Sequence, residues 1–162
     1  MNVGEMMTRA VQTCSPNDSL NRVAQLMWEN DCGCIPVVGT EGKAIGMITD
    51  RDICMAGYTQ GQPLMYMTAA SAASHNIVTV RENESLDAAE ALMQKHQIRR
   101  IPVVDANGKP IGIVSMNDLA RIAQHEGARH HDGLSPESIV RTLAAVCQPS
   151  ATQAHAAGYL QP

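Results

Sequence analysis

Phenylalanine is absent from this chain of 162 residues and Trp28 is its only tryptophan, so methionine and aliphatic side chains must fill whatever interior it forms. Methionine packs adaptably but specifies shape weakly. No apolar run approaches the ~18 residues that a bilayer span requires. Met1-Asn2-Val3-Gly4-Glu5 has neither a basic start nor an apolar signal core. These absences predict a cytoplasmic protein with no membrane partner. Cys14, Cys32, Cys34, Cys54 and Cys147 form no even framework with metal-like spacing, which suits a reducing compartment and predicts no metal site. Excess positive charge is missing as well. A formal charge of −4 argues against a nucleic-acid partner bound by phosphate neutralisation. Nor is there a Gly-rich Walker loop, a G-x-G-x-x-G, a nucleophile elbow or a zinc-protease helix. Catalysis has no visible seat, no residue is assigned a catalytic role, and the expectation is a non-enzyme.

What the chain does have is a duplication. Val11 to Ile53 reappear, without insertion or deletion, as Ile77 to Leu119, sixty-six positions further along. The register is kept by Thr13 on Thr79, Ser19-Leu20 on Ser85-Leu86 and Leu26-Met27 on Leu92-Met93. It continues through Ile35-Pro36-Val37-Val38 on Ile101-Pro102-Val103-Val104, Gly42-Lys43 on Gly108-Lys109, Ile45-Gly46 on Ile111-Gly112 and Asp52 on Asp118. Repeats of this size stack so that each buries a face the other supplies, and a duplicated cleft then lies near a two-fold axis between them. Function is expected between the copies. The spacing assigns residues 1–60 to the first repeat, 61–124 to the second and 125–162 to a linker, a short helix and a tail.

Both copies read as β-α-β-β-α, an α/β (α+β) unit of small sheets flanked by helices. A short strand is expected around Val11 to Cys14, then a helix opened by Ser15-Pro16-Asn17-Asp18-Ser19 in which Leu20, Val23, Ala24 and Met27 share the core face. Cys34 to Val38 reads as a second strand with its proline near the start. Thr40-Glu41-Gly42-Lys43 is a turn into a third strand, Ala44 to Ile48, and a final helix starts at Thr49. The counterparts are Ile77 to Val80, Leu86 to His96, Ile101 to Val104, Ile111 to Val114 and a helix from Ser115, with Asn107-Gly108 as the hairpin signal.

Thr49-Asp50-Arg51-Asp52 and its echo Ser115-Met116-Asn117-Asp118 carry the chemistry. At its simplest each is a capping box, with Thr49 or Ser115 as N-cap and an aspartate three residues on. The same geometry offers free amides, a positive dipole end and a hydroxyl to an anion.

Two copies of a unit with an I-P-V-V strand, a turn, an I-G strand and a T/S-x-x-D helix start resemble a pair of cystathionine-β-synthase (CBS) domains, the Bateman module. The resemblance covers roughly residues 3 to 124. Val3-Gly4-Glu5-Met6-Met7-Thr8 resembles the family's lead-in and Pro63-Leu64-Met65-Tyr66-Met67-Thr68 a weaker copy, followed by an extra Ala/Ser-rich stretch, Ala69 to Ser74. With no attached catalytic, channel or transporter domain, the chain is similar to stand-alone bacterial CBS-pair proteins. Those are taken to sense adenosine-containing ligands and signal to another protein, here unknown.

The resemblance implies that Asp52 and Asp118 hold ribose hydroxyls, while Thr49 and Ser115 meet phosphate. It also implies an adenine slot built from Ala10, Val11, Gln12, Ile35 and Pro36 in one copy and Asn76, Ile77, Val78, Ile101 and Pro102 in the other. By periodicity alone these aliphatic residues are plain core. One cleft is expected to combine Thr49, Arg51 and Asp52 with Ile77, Val78, Arg99, Arg100 and Ile101. The other is expected to combine Ser115, Asn117 and Asp118 with Ala10, Val11, Gln12, Gly33, Cys34 and Ile35, without a comparable cation. Arginine matches phosphate with a planar fork of donors, so the first, basic cleft is expected to hold a mono- or diphosphate. At a helix exit the same two cations, Arg99 and Arg100, equally favour the carbonyl end of the preceding helix.

AMP is the first choice of ligand, with ADP, ATP, NAD and S-adenosylmethionine open, and the family likeness suggests a disc-like homodimer joined through helices. Two rivals stand beside this reading: a dimerising or partner-docking scaffold with no small-molecule ligand, and a redox sensor using Cys32 and Cys34. His130-His131 falls in a polar linker. Beyond it, Ser135 caps a short helix with Pro136 in its first turn, Leu134 placed to staple onto Ile139, and Ile139, Leu143 and Val146 along one face. Ala/Gln/Ser-rich sequence after Pro149 reads as disorder.

Overall fold

The computed structural model describes residues 1–126 and 135–148; His130, His131, Leu134 and the tail after Pro149 lie outside them. In the first repeat a short helix α1 (Val3–Met6) precedes α2 (Leu20–Glu29), β1 (Cys34–Val38), β2 (Ala44–Thr49) and α3 (Asp50–Gln60). A 3-10 turn at Leu64–Tyr66 leads to α4 (Ala69–Ala72), β3 (Val80–Arg81), α5 (Leu86–His96), β4 (Arg100–Val104), β5 (Pro110–Ser115) and α6 (Met116–Glu126), and α7 (Pro136–Val146) follows. None of these helices is long and apolar enough to cross a membrane.

Ser19 and Ser85 start α2 and α5 by accepting the amides of Arg22 and Ala88. Leu20, Val23 and Met27, and likewise Leu86, Ala89 and Met93, then turn inward. Ala24, expected with them, is half-buried. Asp31 and Gln97 follow these helices in the left-handed conformation, at φ 47° and 52°, and aim the chain back into β1 and β4. Each hairpin carries the same irregularity, between Val37 and Val38 and between Val103 and Val104.

The first strand of each copy is shorter than expected. In copy one it is a single bridge from Cys14 to Val37, and in copy two it is Val80–Arg81 rather than Ile77 to Val80. The amide of Val11 bonds to the Arg9 carbonyl, so this segment turns on itself and meets β1 only at Cys14.

The second correction concerns the lead-in. Ala69 to Ser74 is no extra stretch; α4 stands sixty-six positions after α1, and Pro63 to Tyr66 is linker. Asn2 bridges to Ser85 as Thr68 bridges to Ser19, and Thr8 bridges to Ile113 as Ser74 bridges to Met47. Such reciprocal pairing is the signature of a two-fold relation. Each lead-in therefore crosses to the other repeat. Val3 and Met7 complete the core of Val80, Leu86, Met93, Ile101, Val114 and Leu119, while Met67 and Ala69 complete that of Leu20, Val23, Ile35, Ile48 and Ile53.

Glycines permit the crossing. A β-carbon on Gly46 would lie 2.7 Å from the Ser74 carbonyl oxygen, and one on Gly112 would lie 2.5 Å from the Met7 sulfur and 3.0 Å from the Thr8 carbonyl oxygen. Gly46→Ala is expected to cost about 1–3 kcal/mol, because the obstacle is backbone. Gly57→Ala in α3, whose nearest new neighbour is Leu64 at 3.8 Å, serves as the control. Thermal denaturation of the two variants checks this, and equal melting temperatures would refute the close-approach account.

Helix α7 packs on α5 and α6 through two of the three expected residues, with Thr142 in place of Leu143. Ile139, Thr142 and Val146 are buried and Leu143 is 48% exposed. Thr142 takes the inner place because α5 presents polar partners there: Gln94 Nε2 donates to its hydroxyl at 2.5 Å, and the hydroxyl donates to Glu90.

Candidate functional site

Crossing lead-ins, helix starts and strand entries meet in two clefts on opposite sides of the pseudo-two-fold axis. The first, of about 270 Å³, is lined by Thr49, Arg51, Asp52, Asn76, Ile77, Val78, Arg99, Arg100 and Pro102. Cys34, expected only in the other cleft, joins them, as do Met47, Asp50, Ser74 and Ile98, which the sequence did not point to. Ile101 does not line it, since strand alternation turns it into the core at 0% exposure.

The second cleft, of about 550 Å³, is lined by Ala10, Val11, Gln12, Gly33, Cys34, Ser115, Asn117 and Asp118, with Thr8, Asn30, Asp31, Cys32, Ile113 and two arginines in addition. Ile35 and Pro36 are buried and do not reach it. The arginines correct a further expectation: this cleft does not lack a cation. Arg100 stands on the ridge between the clefts and lines both, and Arg121 enters from one turn beyond Asp118. Gly33 leaves room for the Arg100 guanidinium, since a β-carbon there would sit 3.4 Å from Nη2 and 3.0 Å from Asp50 Oδ2. An aspartate followed three residues later by arginine on one helix was the signal available for Arg121.

Both T/S-x-x-D motifs form capping boxes, yet their free valences differ. Asp52 Oδ2 accepts the Thr49 amide at 2.8 Å and the Thr49 hydroxyl at 2.7 Å, and Asp52 Oδ1 has no partner among the described residues. Asp118 Oδ2 accepts the Ser115 amide at 2.9 Å and hydroxyl at 2.6 Å, while Asp118 Oδ1 accepts from Arg121. Arg51, Arg99 and Arg100 form no ion pair among the described residues, so the first cleft offers a ligand three guanidinium groups and the free carboxylate oxygens of Asp52 (Oδ1) and Asp50 (Oδ2).

The thiols are not activated. Burial pushes Cys14 up to about 12 and Cys34 up to about 11, against an ordinary value of 9.0, and raises Cys32 too despite the nearby Arg100 charge. The thiolate is the nucleophile, so these groups are poorly suited to redox sensing at neutral pH. Iodoacetamide at pH 8 is expected to label the exposed Cys54 and Cys147 and leave Cys14 and Cys34 largely unmodified. Raising the pH through 9 towards 11 and 12 should then remove stability, because each raised thiol favours folding only while protonated. Rapid labelling of Cys34 at pH 8, read by mass spectrometry, would contradict this.

No group of three or more His, Cys, Asp or Glu side chains among the described residues is arranged to hold a metal ion. The sequence model of the CBS domain matches residues 3–58 and 69–125. The chain belongs to the CBS domain family. As a CBS pair it is 42% identical over 118 residues to the CBS domain-containing protein YhcV of Bacillus subtilis, across 73% of this chain and 82% of that one. Its fold is similar to the CBS domain pair of protein MJ0100 in complex with 5′-methylthioadenosine and S-adenosyl-L-methionine. That match has a TM-score of 0.70 and 25% identity, covering 78% of this chain and 98% of the other. It is also similar to CBSX2 in complex with AMP, at a TM-score of 0.67 and 26% identity, with the same two coverages. Solved CBS pairs like this one thus hold adenosyl ligands, and both sequence matches begin at the crossing helices α1 and α4.

Proposed function

We propose that this CBS pair is a non-enzymatic regulatory module that senses an adenine nucleotide, AMP first, in the cleft of Thr49, Asp52 and Arg100. The observation that carries the reading is Asp52 Oδ1, held by the capping box beside three arginines, all without a partner among the described residues. The carboxylate accepts ribose hydroxyls. The helix start and guanidinium groups take the phosphate. Ile77, Val78 and Pro102 supply the apolar walls for the base. The cavity, of about 270 Å³, falls just below the range of about 300 to 1,000 Å³ usual for ligand sites, which suits a compact mononucleotide.

Signalling follows from the crossing lead-ins. A ligand that touches both repeats binds more tightly to whichever packing closes the cleft, and it shifts the equilibrium by that difference alone. Trp28 at 89% and Tyr58 at 81% exposure give the helices of the first repeat an apolar surface suited to a second copy or a downstream protein. A homodimer is the preferred arrangement, and a docking scaffold without ligand is the rival that the same surface supports.

Thermal denaturation with AMP, ADP, ATP, NAD and S-adenosylmethionine separates the two readings. At a hundred times its Kd, AMP should add about 2.7 kcal/mol to the stability of the folded state. An unmoved transition with every one of the five compounds would leave only the scaffold.

A further inference from the structure

The second cleft carries a feature that its twin does not. Asp118 is 6% exposed and both its oxygens are taken, one by the Ser115 cap and the other by the Arg121 guanidinium. Arg121 itself has a side chain that is 70% exposed, so it reaches in from solvent to close a buried carboxylate. Sixty-six positions earlier stands Met55, which has no charge to offer Asp52. The difference is therefore written in one residue.

We infer that Arg121 is a latch that makes the second cleft selective for phosphate-bearing ligands over uncharged nucleosides. The inference rests on the adenine-nucleotide reading above. For a ribose hydroxyl to reach Asp118 Oδ1, the guanidinium has to leave, and a carboxylate's charge-assisted partner is not given up without a replacement. A ligand phosphate supplies that replacement. The planar fork of Arg121 turns from carboxylate to phosphate, Asp118 is freed for the sugar, and the number of charge-assisted hydrogen bonds is kept. An unphosphorylated nucleoside breaks the pair and returns nothing to the guanidinium. Arg121 lines the cleft and its side chain is 70% exposed, so little packing among the described residues opposes the swing. Arg100, the other cation within reach, lines both clefts and is the same in the parent and in every Arg121 variant, so it cannot produce a difference between them.

Calorimetry in an Asp52→Ala background, where the first cleft is weakened, tests the latch with AMP and adenosine as probes. With Arg121 in place, AMP should bind at least tenfold more tightly than adenosine. Arg121→Met, which copies the first repeat, should tighten adenosine at least fivefold while AMP does not improve, and Arg121→Gln should behave the same way. Tightening of a neutral ligand on removal of a cation is the decisive sign. If the variants weaken AMP and leave adenosine unmoved, Arg121 is only a phosphate contact and the latch is overturned. Loss of all AMP binding in Asp52→Ala alone, with binding intact in the parent, shows the second cleft to be unused and also overturns it. If neither AMP nor adenosine binds to the parent protein or to any variant, the adenine reading itself falls, and the latch with it.

Discussion

Asp52→Ala is expected to weaken AMP binding by roughly ten- to a hundredfold, the range that follows from losing hydrogen bonds of about 1.5–3 kcal/mol to a charged group. Asp118→Ala should change the same tight phase less than threefold. The ranking comes from free valence. Asp52 Oδ1 has no partner among the described residues, whereas Asp118 Oδ1 is occupied by Arg121. A ribose at Asp52 adds hydrogen bonds; a ribose at Asp118 exchanges them. Alanine also removes the capping box at Asp52, which costs about 1 kcal/mol of stability by itself. Asp52→Asn separates the two effects, since the amide oxygen can still accept from Thr49 while the charge on the ribose side is gone. Calorimetric titration of the three variants decides the matter. Equal loss at the two aspartates, or a greater loss at Asp118, would overturn the ranking of the clefts.

The periodic parts of this architecture were legible because identical residues recur in register. Ser19 and Ser85 as caps, the I-P strands, and Thr49 and Ser115 as paired helix starts all follow from comparing one half of the chain with the other. The lead-ins were not legible, since Val3-Gly4-Glu5-Met6-Met7 and Ala69-Ala70-Ser71-Ala72-Ala73 share no residue. Met67-Thr68 also mimics Met7-Thr8, but six residues too early. What fixes the true pairing is backbone, the two bridges that place Thr8 on Ile113 and Ser74 on Met47, and backbone pairing leaves little trace in side-chain identity.

Side-chain reach was the other gap. Arg100 was assigned to one cleft from its place in the chain, yet its guanidinium rises beside Gly33 and faces both. Strand alternation was available to remove Ile35 and Ile101 from the clefts, and it would have done so. In α7 the helical period allowed Thr142 and Leu143 equally, and the choice is made by Glu90 and Gln94, side chains 52 and 48 residues away.

That choice sets the second large expectation. Thr142 is fully buried and joins two polar side chains of α5, accepting from Gln94 and donating to Glu90, which is itself 7% exposed. Thr142→Val keeps the volume and deletes the hydroxyl, so the buried Glu90 carboxyl loses its donor while the half-buried Gln94 amide loses its acceptor. Leaving a buried carboxyl without its donor costs about 1–3 kcal/mol, and the half-buried Gln94, which water can reach, adds little, so the total is about 2–3 kcal/mol. Thr142→Ser, which keeps the hydroxyl and drops one methyl, should cost only about 1 kcal/mol. The loss should be local first. Gln97 Nε2 donates to the Ala145 carbonyl at 3.3 Å, so α7 also braces the left-handed exit of α5 that delivers Arg99 and Arg100 to the clefts. Faster amide exchange in α7 and at Gln97 in Thr142→Val, with the hairpins β1–β2 and β4–β5 unchanged, is the expected pattern. Valine and serine variants of equal stability would show instead that the Gln94–Thr142–Glu90 network carries no weight and that apolar contacts through Ile139 and Val146 alone hold the helix in place.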